Sequence, residues 1–141
     1  MLFALLSGTG PFAKGGGVSM LDGIAGNPTI QCLQAAIGFT ARRHELIADN
    51  IANVTTPGYR AKDLSEKSFI EALDRTGGSL DEAVQVIDSP DAGTPRADGN
   101  NVSIEHEMSK LSRNAMMHNI LISLLGKQFR MLEAAVRERV V

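Results

Sequence analysis

Two histidines are the residues whose type and spacing come nearest to a metal site. His44 and His118 each fall within an apolar stripe at helical spacing, so packed helices would bring both imidazoles to one interface. No third ligand accompanies them, and the single cysteine, Cys32, excludes a multi-cysteine zinc site. We therefore interpret the two histidines as polar groups that fix the register of packed helices.

The N-terminal glycines and Cys32 could indicate a phosphate-binding loop and a nucleophile, but the surrounding residues support neither site. Gly8, Gly10 and the run 15–17, together with Lys14, are rich enough in glycine for a phosphate loop, but the Gly-Lys-Ser/Thr ending is missing. Cys32 has no activating base nearby in the sequence, and we interpret it as a small apolar residue. We predict no catalytic, cofactor-binding or metal site, and we expect that the protein is not an enzyme.

Composition and charge exclude two further classes. The chain has 141 residues, which is typical of one domain, and its 14 basic and 16 acidic residues give a net charge of −2. This balance gives no electrostatic case for binding nucleic acid.

Arg42 and Arg43 stand at helical spacing from Glu45 and Asp49, which predicts ion pairs along one helix. No apolar run approaches the ~20 residues of a membrane-spanning helix.

Residues 1–27 are expected to form a flexible leader. This segment holds half of the chain's 14 glycines, and such a backbone is too free to keep regular structure cheaply. The apolar run from Leu2 to Leu6 has no basic residue before it and no convincing cleavage site after it. We therefore expect no cleaved signal peptide.

A heptad pattern predicts an N-terminal helix over residues 28–56. Pro28 suits the first turn of a helix, and apolar positions follow at alternating steps of three and four residues. Such a stripe is the seam along which helices pack. The seam positions are Ile30, Leu33, Ile37, Thr40, His44, Ile47, Ile51 and Val54.

Residues 57–102 are expected to form a small acidic connecting segment with many loops. Pro57 ends the first helix, and Pro57-Gly58 is typical of a type II turn. Between residues 61 and 101, nine acidic residues face four basic ones. Leu64 to Leu73 favours a short helix, whereas Leu80 to Ile87 fits either a helical turn or a strand.

A second heptad pattern predicts a C-terminal helix over residues 103–141. Ser103 is a suitable N-cap, and Glu105 and Glu107 suit the positive end of the helix dipole. The seam positions are Ile104, Met108, Leu111, Ala115, His118, Ile122, Leu125, Phe129, Leu132 and Val136. The predicted fold class is therefore mainly α, with two long terminal helices in a coiled-coil-like bundle.

The C-terminal helix carries more apolar surface than one partner helix can cover. A second strip runs beside the seam, and a two-helix hairpin would leave it in water. We therefore expect obligatory contacts with neighbouring chains. The strip consists of Met116, Met117, Ile120, Leu121 and Leu124.

The stretch from Ala41 to Asp63 resembles the N-terminal signature of bacterial flagellar rod and hook proteins. Its centre reads Asn-Ile-Ala-Asn-Val-Thr-Thr-Pro-Gly-Tyr, and the matching residues are Asn50, Ile51, Ala52, Asn53, Pro57, Gly58 and Tyr59. Residues 98–102 and the Leu-Gly-Lys-Gln-Phe run at 125–129 are similar to the proximal rod group of that family. The similarity begins near Met20, so we expect residues 1–19 to reflect a start codon placed too early.

The resemblance implies a structural subunit without a cofactor. Such subunits leave the cytoplasm through the flagellar type III export apparatus and polymerise as the rod in the periplasmic space, which transmits motor torque to the hook. The implied partners are other copies, FlgC-type rod proteins and the MS-ring adaptor FliE. The motif would end the first helix and direct the next segment along a neighbour, with Tyr59 as an interface anchor. The alternative is a soluble cytoplasmic coiled-coil adaptor or export chaperone, whose seam would look much the same.

Overall fold

A computed structural model describes residues 26–76 and 84–138 and is mainly α-helical. Residues 1–25 of the predicted leader lie outside these ranges, and the glycines weighed as a phosphate loop are among them. The first residues of the ambiguous Leu80 to Ile87 segment and the last three residues of the chain lie outside as well. The prediction of a mainly α fold with two long terminal helices is confirmed. The elements are α1 (Pro28–Ala52), β1 (Lys62–Leu64), α2 (Glu66–Thr76), β2 (Val86–Asp88) and α3 (Ile104–Glu138).

The first helix, α1, begins as predicted and ends before the predicted limit. The Asn27 side chain accepts a hydrogen bond from the Thr29 N–H at 2.9 Å, and Pro28 occupies the first turn. The helix ends at Ala52 rather than at Thr56. The physical reason is Asn53, whose backbone N–H and side-chain amide both donate to the Asp49 carbonyl and cap the last turn.

The last helix, α3, runs antiparallel to α1. It begins at Ile104, directly after the predicted cap Ser103, and its length of 35 residues corresponds to about 52 Å. The late α1 residue Asn50 meets Glu107, whereas the earlier α1 residue Thr40 meets Asn114. Because α3 has 35 residues and α1 has 25, the C-terminal end of α3 extends past the N-terminal end of α1.

The connecting segment forms a short antiparallel hairpin and one helix. Lys62 pairs with Asp88 and Leu64 with Val86, so the described part of the ambiguous Leu80 to Ile87 segment contains a strand. The short helix α2 begins at Glu66 rather than at Leu64, because Leu64 is the last residue of β1. Phe69 of α2 packs on Phe39 of α1, with ring centroids 4.5 Å apart.

The core is small and lies where α1, α3 and the hairpin meet. Its fully buried side chains are as often polar as apolar, and they include Ile47, Asn50, Asp63, Asn100 and Glu107. Buried polar groups need partners, so this part of the fold is held together by a specific hydrogen-bond network. Within the two described ranges, no helix has an apolar stretch long enough to cross a bilayer.

Candidate functional site

The motif residue Asn50 joins three parts of the chain. Its Oδ1 atom accepts hydrogen bonds from the Lys62 N–H at 2.9 Å and from the Tyr59 hydroxyl at 3.2 Å. Its Nδ2 atom donates to the Lys62 carbonyl at 2.8 Å and to Glu107 Oε2 at 3.0 Å. Both donors and both lone pairs of this buried amide are therefore used, and α1 is fixed to the turn, to β1 and to α3.

The rest of the motif forms the turn after α1. The Tyr59 N–H donates to the Thr56 carbonyl at 3.3 Å, and Gly58 between them has a φ of +71°. This is the geometry of a type II turn with Pro57 and Gly58 at its centre, as predicted. The Thr56 hydroxyl donates to the Asn53 side chain at 3.1 Å. Of the remaining motif residues, Ile51 is half-buried and Ala52 is exposed.

Asn100, which the motif analysis did not single out, closes this turn from the other side. Its amide is completely buried, and its Oδ1 atom accepts from the Val102 N–H at 2.7 Å. Gly99 has a φ of +80°, and a Cβ atom there would lie 3.4 Å from the Gly58 Cα. The Asn100 Nδ2 atom lies 2.8 to 3.1 Å from three carbonyl oxygens of the turn, those of Asn53, Val54 and Thr56. The only sequence signal for this role was the resemblance at residues 98–102.

A buried ionic cluster ties the hairpin to both long helices. Arg43 of α1 holds Asp63 of β1 with two hydrogen bonds, of 2.8 and 2.9 Å. Lys110 of α3 lies 3.5 Å from Asp63 and 3.6 Å from Glu107, and it donates to the Ser89 hydroxyl at 2.6 Å. Each charge is paired and hydrogen-bonded, as a buried charge requires.

Burial and neighbouring charges shift the pKa values of Asp63 in the cluster and of Tyr59 beside it. Burial alone would raise the pKa of Asp63, but the hydrogen bonds and charge of Arg43, the Leu64 N–H and the Lys110 charge hold that pKa below its ordinary value. Burial raises the pKa of Tyr59, and the charges of Asp49 and Glu107 raise it further. The predicted partners of Arg43 along its own helix were wrong, because its guanidinium points to Asp63 and Glu66 instead.

The two histidines lie in different environments. His44 is exposed. His118 Nδ1 lies 2.8 Å from the Thr40 hydroxyl oxygen, and that hydroxyl donates to the Ile37 carbonyl, so the histidine N–H is the donor. This bond joins α1 to α3, as expected of a polar group that fixes register. No cluster of three metal-ligating side chains occurs in the part of the chain that the structure describes, and Cys32 is exposed.

The predicted seam of α3 does not coincide with its contact face toward α1. Glu107, Lys110 and Asn114 are buried there, because their hydrogen bonds to α1 and the hairpin turn this side of α3 inward. Of all the predicted seam residues, three are buried: Ile30, Thr40 and Ile47. Those that are half-buried are Leu33, Ile37, Ile51, Val54, Leu111, Ala115, His118, Leu125, Leu132 and Val136, and those that are exposed are His44, Ile104, Met108, Ile122 and Phe129. Their role in assembly stays a prediction.

The middle of α3 is apolar on two sides of its contact with α1. The side chains concerned are 44% to 64% exposed: Met116, Met117, Ile120, Ile122, Leu124, Phe129 and Met131. A groove of about 550 Å³ between α1, α2 and α3 adds to this surface, and its lining includes Phe39, Phe69, Ile70, Met117 and Leu121. Contiguous apolar surface of this kind marks sites of protein–protein contact.

The fold and the site define a mainly α-helical protein with a buried polar junction at one end and exposed apolar faces along its longest helix. The proteins that are similar to this chain are flagellar rod proteins. The flagellar basal body rod protein FlgB of Salmonella typhimurium (strain LT2) is 28% identical over 130 aligned residues, which cover 79% of this chain and 93% of the Salmonella protein. The FlgB proteins of Bacillus subtilis (strain 168) and Yersinia ruckeri are 28% and 29% identical, and they cover 77% and 79% of this chain and 92% and 93% of their own lengths.

The chain is therefore similar, over most of its length, to flagellar basal body rod proteins named FlgB. No family model matches it.

Proposed function

We propose that the chain is a structural subunit of the proximal flagellar rod and that it polymerises through its two long helices. The observation that carries this proposal is the exposed apolar surface along residues 116–131 of α3, in a chain whose relatives are named basal body rod proteins. Each such side chain stabilises an assembly by about 1.5 to 3 kcal/mol when it becomes fully buried. Neighbours that cover several of them would gain enough free energy to hold an assembly together.

The junction supports a torque-carrying role for the polymer. Asn50, Asn100 and the ionic cluster around Asp63 fix the turn and the hairpin against both helices. A subunit whose two helices cannot slide past each other transmits a twisting force to its neighbours. The proposed shaft thus depends on many such subunits rather than on a single strong contact.

The proposed partners are other copies of the chain, FlgC-type rod proteins and the adaptor FliE. The proposed route is the flagellar type III export apparatus without a cleaved signal peptide, and the proposed location is the periplasmic part of the basal body. These proposals are supported by the similarity to FlgB proteins and by the motif at Asn50 to Tyr59. We also propose that the protein has no catalytic activity of its own.

The test is electron microscopy of basal bodies from a strain that lacks this gene. The strain is complemented in parallel with chains that begin at Met1 and at Met20. We expect the rod to be missing without the gene and to return with either chain. Intact rods in the deletion strain would contradict the proposed function.

The cytoplasmic adaptor is separated from the rod subunit by a solution measurement. An adaptor would be a fully helical dimer whose mass and helicity do not change on dilution. Sedimentation velocity and circular dichroism over a range of concentrations measure both properties, and the rod subunit is expected to lose association on dilution.

A further inference from the structure

One side of α3 points away from α1. Glu107 and Asn114 mark the side of α3 that contacts α1, because both make hydrogen bonds to residues of that helix. At about 100° per residue, four exposed residues of α3 lie about 100° to 180° around the helix axis from both of them, and within about 60° of one another. These four residues, which we call the outer face of α3, are Arg113, Met116, Ile120 and Lys127.

The outer face of α3 is apolar in its middle and basic at both ends. Met116 and Ile120 are 64% and 50% exposed. Arg113 and Lys127 take part in no ion pair within residues 26–76 and 84–138. Between residues 108 and 132 the sequence contains four Lys or Arg residues and no Asp or Glu. Two such faces would bring like charges together in either relative orientation of the helices, so this face requires an acidic partner surface.

The side of α1 that points away from α3 is acidic. Thr40 and Asn50 are hydrogen-bonded to α3 and mark the contact side of α1. Four exposed residues of α1 lie about 100° to 180° around the axis from both of them, and within about 80° of one another. Two of the four, Glu45 and Asp49, take part in no ion pair among the described residues. We call the four residues the outer face of α1: Gly38, Ala41, Glu45 and Asp49.

Arg42 and Ala48 border the outer face of α1 and do not belong to it. Arg42 lies about 80° around the axis from Asn50, and Ala48 lies about 80° from Thr40. The face itself therefore combines two acidic side chains with two small residues.

We propose that the outer face of α3 of one copy packs on the outer face of α1 of the next copy, with Arg113 paired to Glu45 and Asp49. This inference rests on the proposed function and names a contact that would build the polymer. The charges of the two faces are opposite, which favours a second copy as the occupant of both. The small residues of α1 also leave room for the apolar side chains of α3.

Copies that stand side by side in the same orientation bring the two faces to the same level. Since α1 and α3 are antiparallel, their contacts within one chain place Glu45 within about one turn of the level of Arg113. Ile120 follows Arg113 by seven residues and Gly38 precedes Glu45 by seven, so both steps run about 10 Å in the same direction. The large apolar side chains then meet the small residues, while the opposite charges meet at the other end of the contact.

The contact is heterologous, because it joins two different surfaces of the same chain. Each outer face lies on the side of its helix that is turned away from the other helix, so the two faces of one chain cannot meet. Heterologous contacts continue into an open helical polymer when the rotation between copies does not close a ring. The proposed contact thus leaves one face of each kind free at the ends of a growing array.

Charge reversal tests the contact in the full-length chain. We expect Arg113→Glu, and separately Glu45→Arg with Asp49→Arg, to lower the number of rod-bearing basal bodies by about tenfold, because like charges then face each other. We expect the combined threefold variant to restore rods, since opposite charges meet again. The matched controls are Lys67→Glu and Asp74→Arg, which reverse exposed charges of α2 outside both faces and should leave rods unchanged.

Cross-linking provides a measurement that does not depend on charge. In a chain with Cys32→Ser, the substitutions Ala41→Cys and Met116→Cys should allow a short bis-maleimide to join copies in isolated basal bodies. The two positions lie on opposite sides of the pair formed by α1 and α3, so a short reagent cannot join them within one chain. Multimers should appear on a denaturing gel only when both cysteines are present.

Three results would overturn the contact while the proposed function stands. The first is a lack of multimers from complete rods that carry both cysteines. The second is a lack of rescue by the threefold variant although circular dichroism of the purified chain shows normal helix content. The third is a cross-link from Met116→Cys to a different protein with none between copies. Normal rods in the deletion strain would instead overturn the proposed function.

Discussion

The side chain of Asn50 is satisfied by partners from three separate parts of the fold: Tyr59, Lys62 and Glu107. The resemblance marked this residue, but neither the type of its partners nor their number follows from a spacing along the chain. Glu107 was assigned to the first turn of a helix for its effect on the helix dipole. In the structure it is buried and accepts from Asn50, which is a long-range contact that periodicity does not reveal.

Replacement of Asn50 by alanine is expected to lower the free energy of unfolding by about 3 kcal/mol, because several buried groups lose their partner at once and each costs about 1 to 3 kcal/mol. Urea denaturation followed by circular dichroism measures the change. Gln34→Ala, at an exposed position of the same helix, is the control and should change stability little. Equal effects of the two substitutions would contradict the role assigned to the Asn50 amide.

The lowered pKa of Asp63 predicts that the stability of the fold depends on pH. Its pKa is lowered in the folded chain, so the stabilisation by its carboxylate is complete above the unfolded pKa of about 3.9 and is lost as the pH falls through the lower folded value. Asp63→Asn should cost about 3 kcal/mol at pH 7, since Arg43 and Lys110 lose a charged partner.

The difference between Asp63→Asn and the unaltered chain should shrink as the pH falls below about 4, because the unfolded chain then takes up a proton on Asp63 before the folded chain does. It should vanish once the folded carboxyl is protonated as well. Urea midpoints between pH 7 and pH 3 measure this trend. Asp74→Asn, at an exposed position of α2, serves as the control. A difference that stays constant over this range would show that the Asp63 charge is not what stabilises the fold.

At the scale of elements, the helices were predictable and their mutual orientation was not. Heptad spacing is a local property, and it located both α1 and α3. The end of α1 and the inward face of α3 depend on residues far away in sequence: Asn53 and Asn100 close the turn, and Asp63 draws in Lys110. The predicted apolar seam of α3 therefore lies beside the residues of α3 that contact α1, and it does not coincide with them.

The turn that joins α1 to β1 depends on a glycine with positive φ, so a substitution there should lower stability. Gly58 has a φ of +71°, a region that costs other residues about 1 to 2 kcal/mol. Gly58→Ala is expected to lower the free energy of unfolding by that amount. The control is Gly93→Ala, where a Cβ atom meets nothing within 4 Å and φ is not positive. Thermal unfolding should separate the two variants; a lower melting temperature in both would assign the loss to something other than positive φ.

At the scale of the whole molecule, assembly should depend on the apolar faces that a single chain leaves open. Phe129→Asp is expected to leave the helix content of the chain unchanged, because Phe129 is exposed, and to block rod formation, because an unpaired charge would be buried in the assembly. Leu125→Asp and Ile51→Asp should block it as well. Electron microscopy of basal bodies and circular dichroism of the purified chains provide the two measurements.

Ala48→Asp is the matched control for these substitutions, since Ala48 is exposed on α1 outside the predicted seam. It should allow normal rods. Normal rods with Phe129→Asp as well would show that this face of α3 stays in water, and the predicted seam would then lack support as an assembly surface.

The hydrogen bond between Asn50 and Glu107 joins residues that are 57 positions apart. A chain that emerges from a narrow passage with its N-terminus first holds Asn50 in reach long before Glu107 follows. Until then the amide lacks one of its four hydrogen bonds, which forms only when the start of α3 is available. The junction can therefore form fully only in a chain that includes α3. A chain that is truncated within the connecting segment lacks Glu107 and cannot complete the hydrogen bonds that hold the turn.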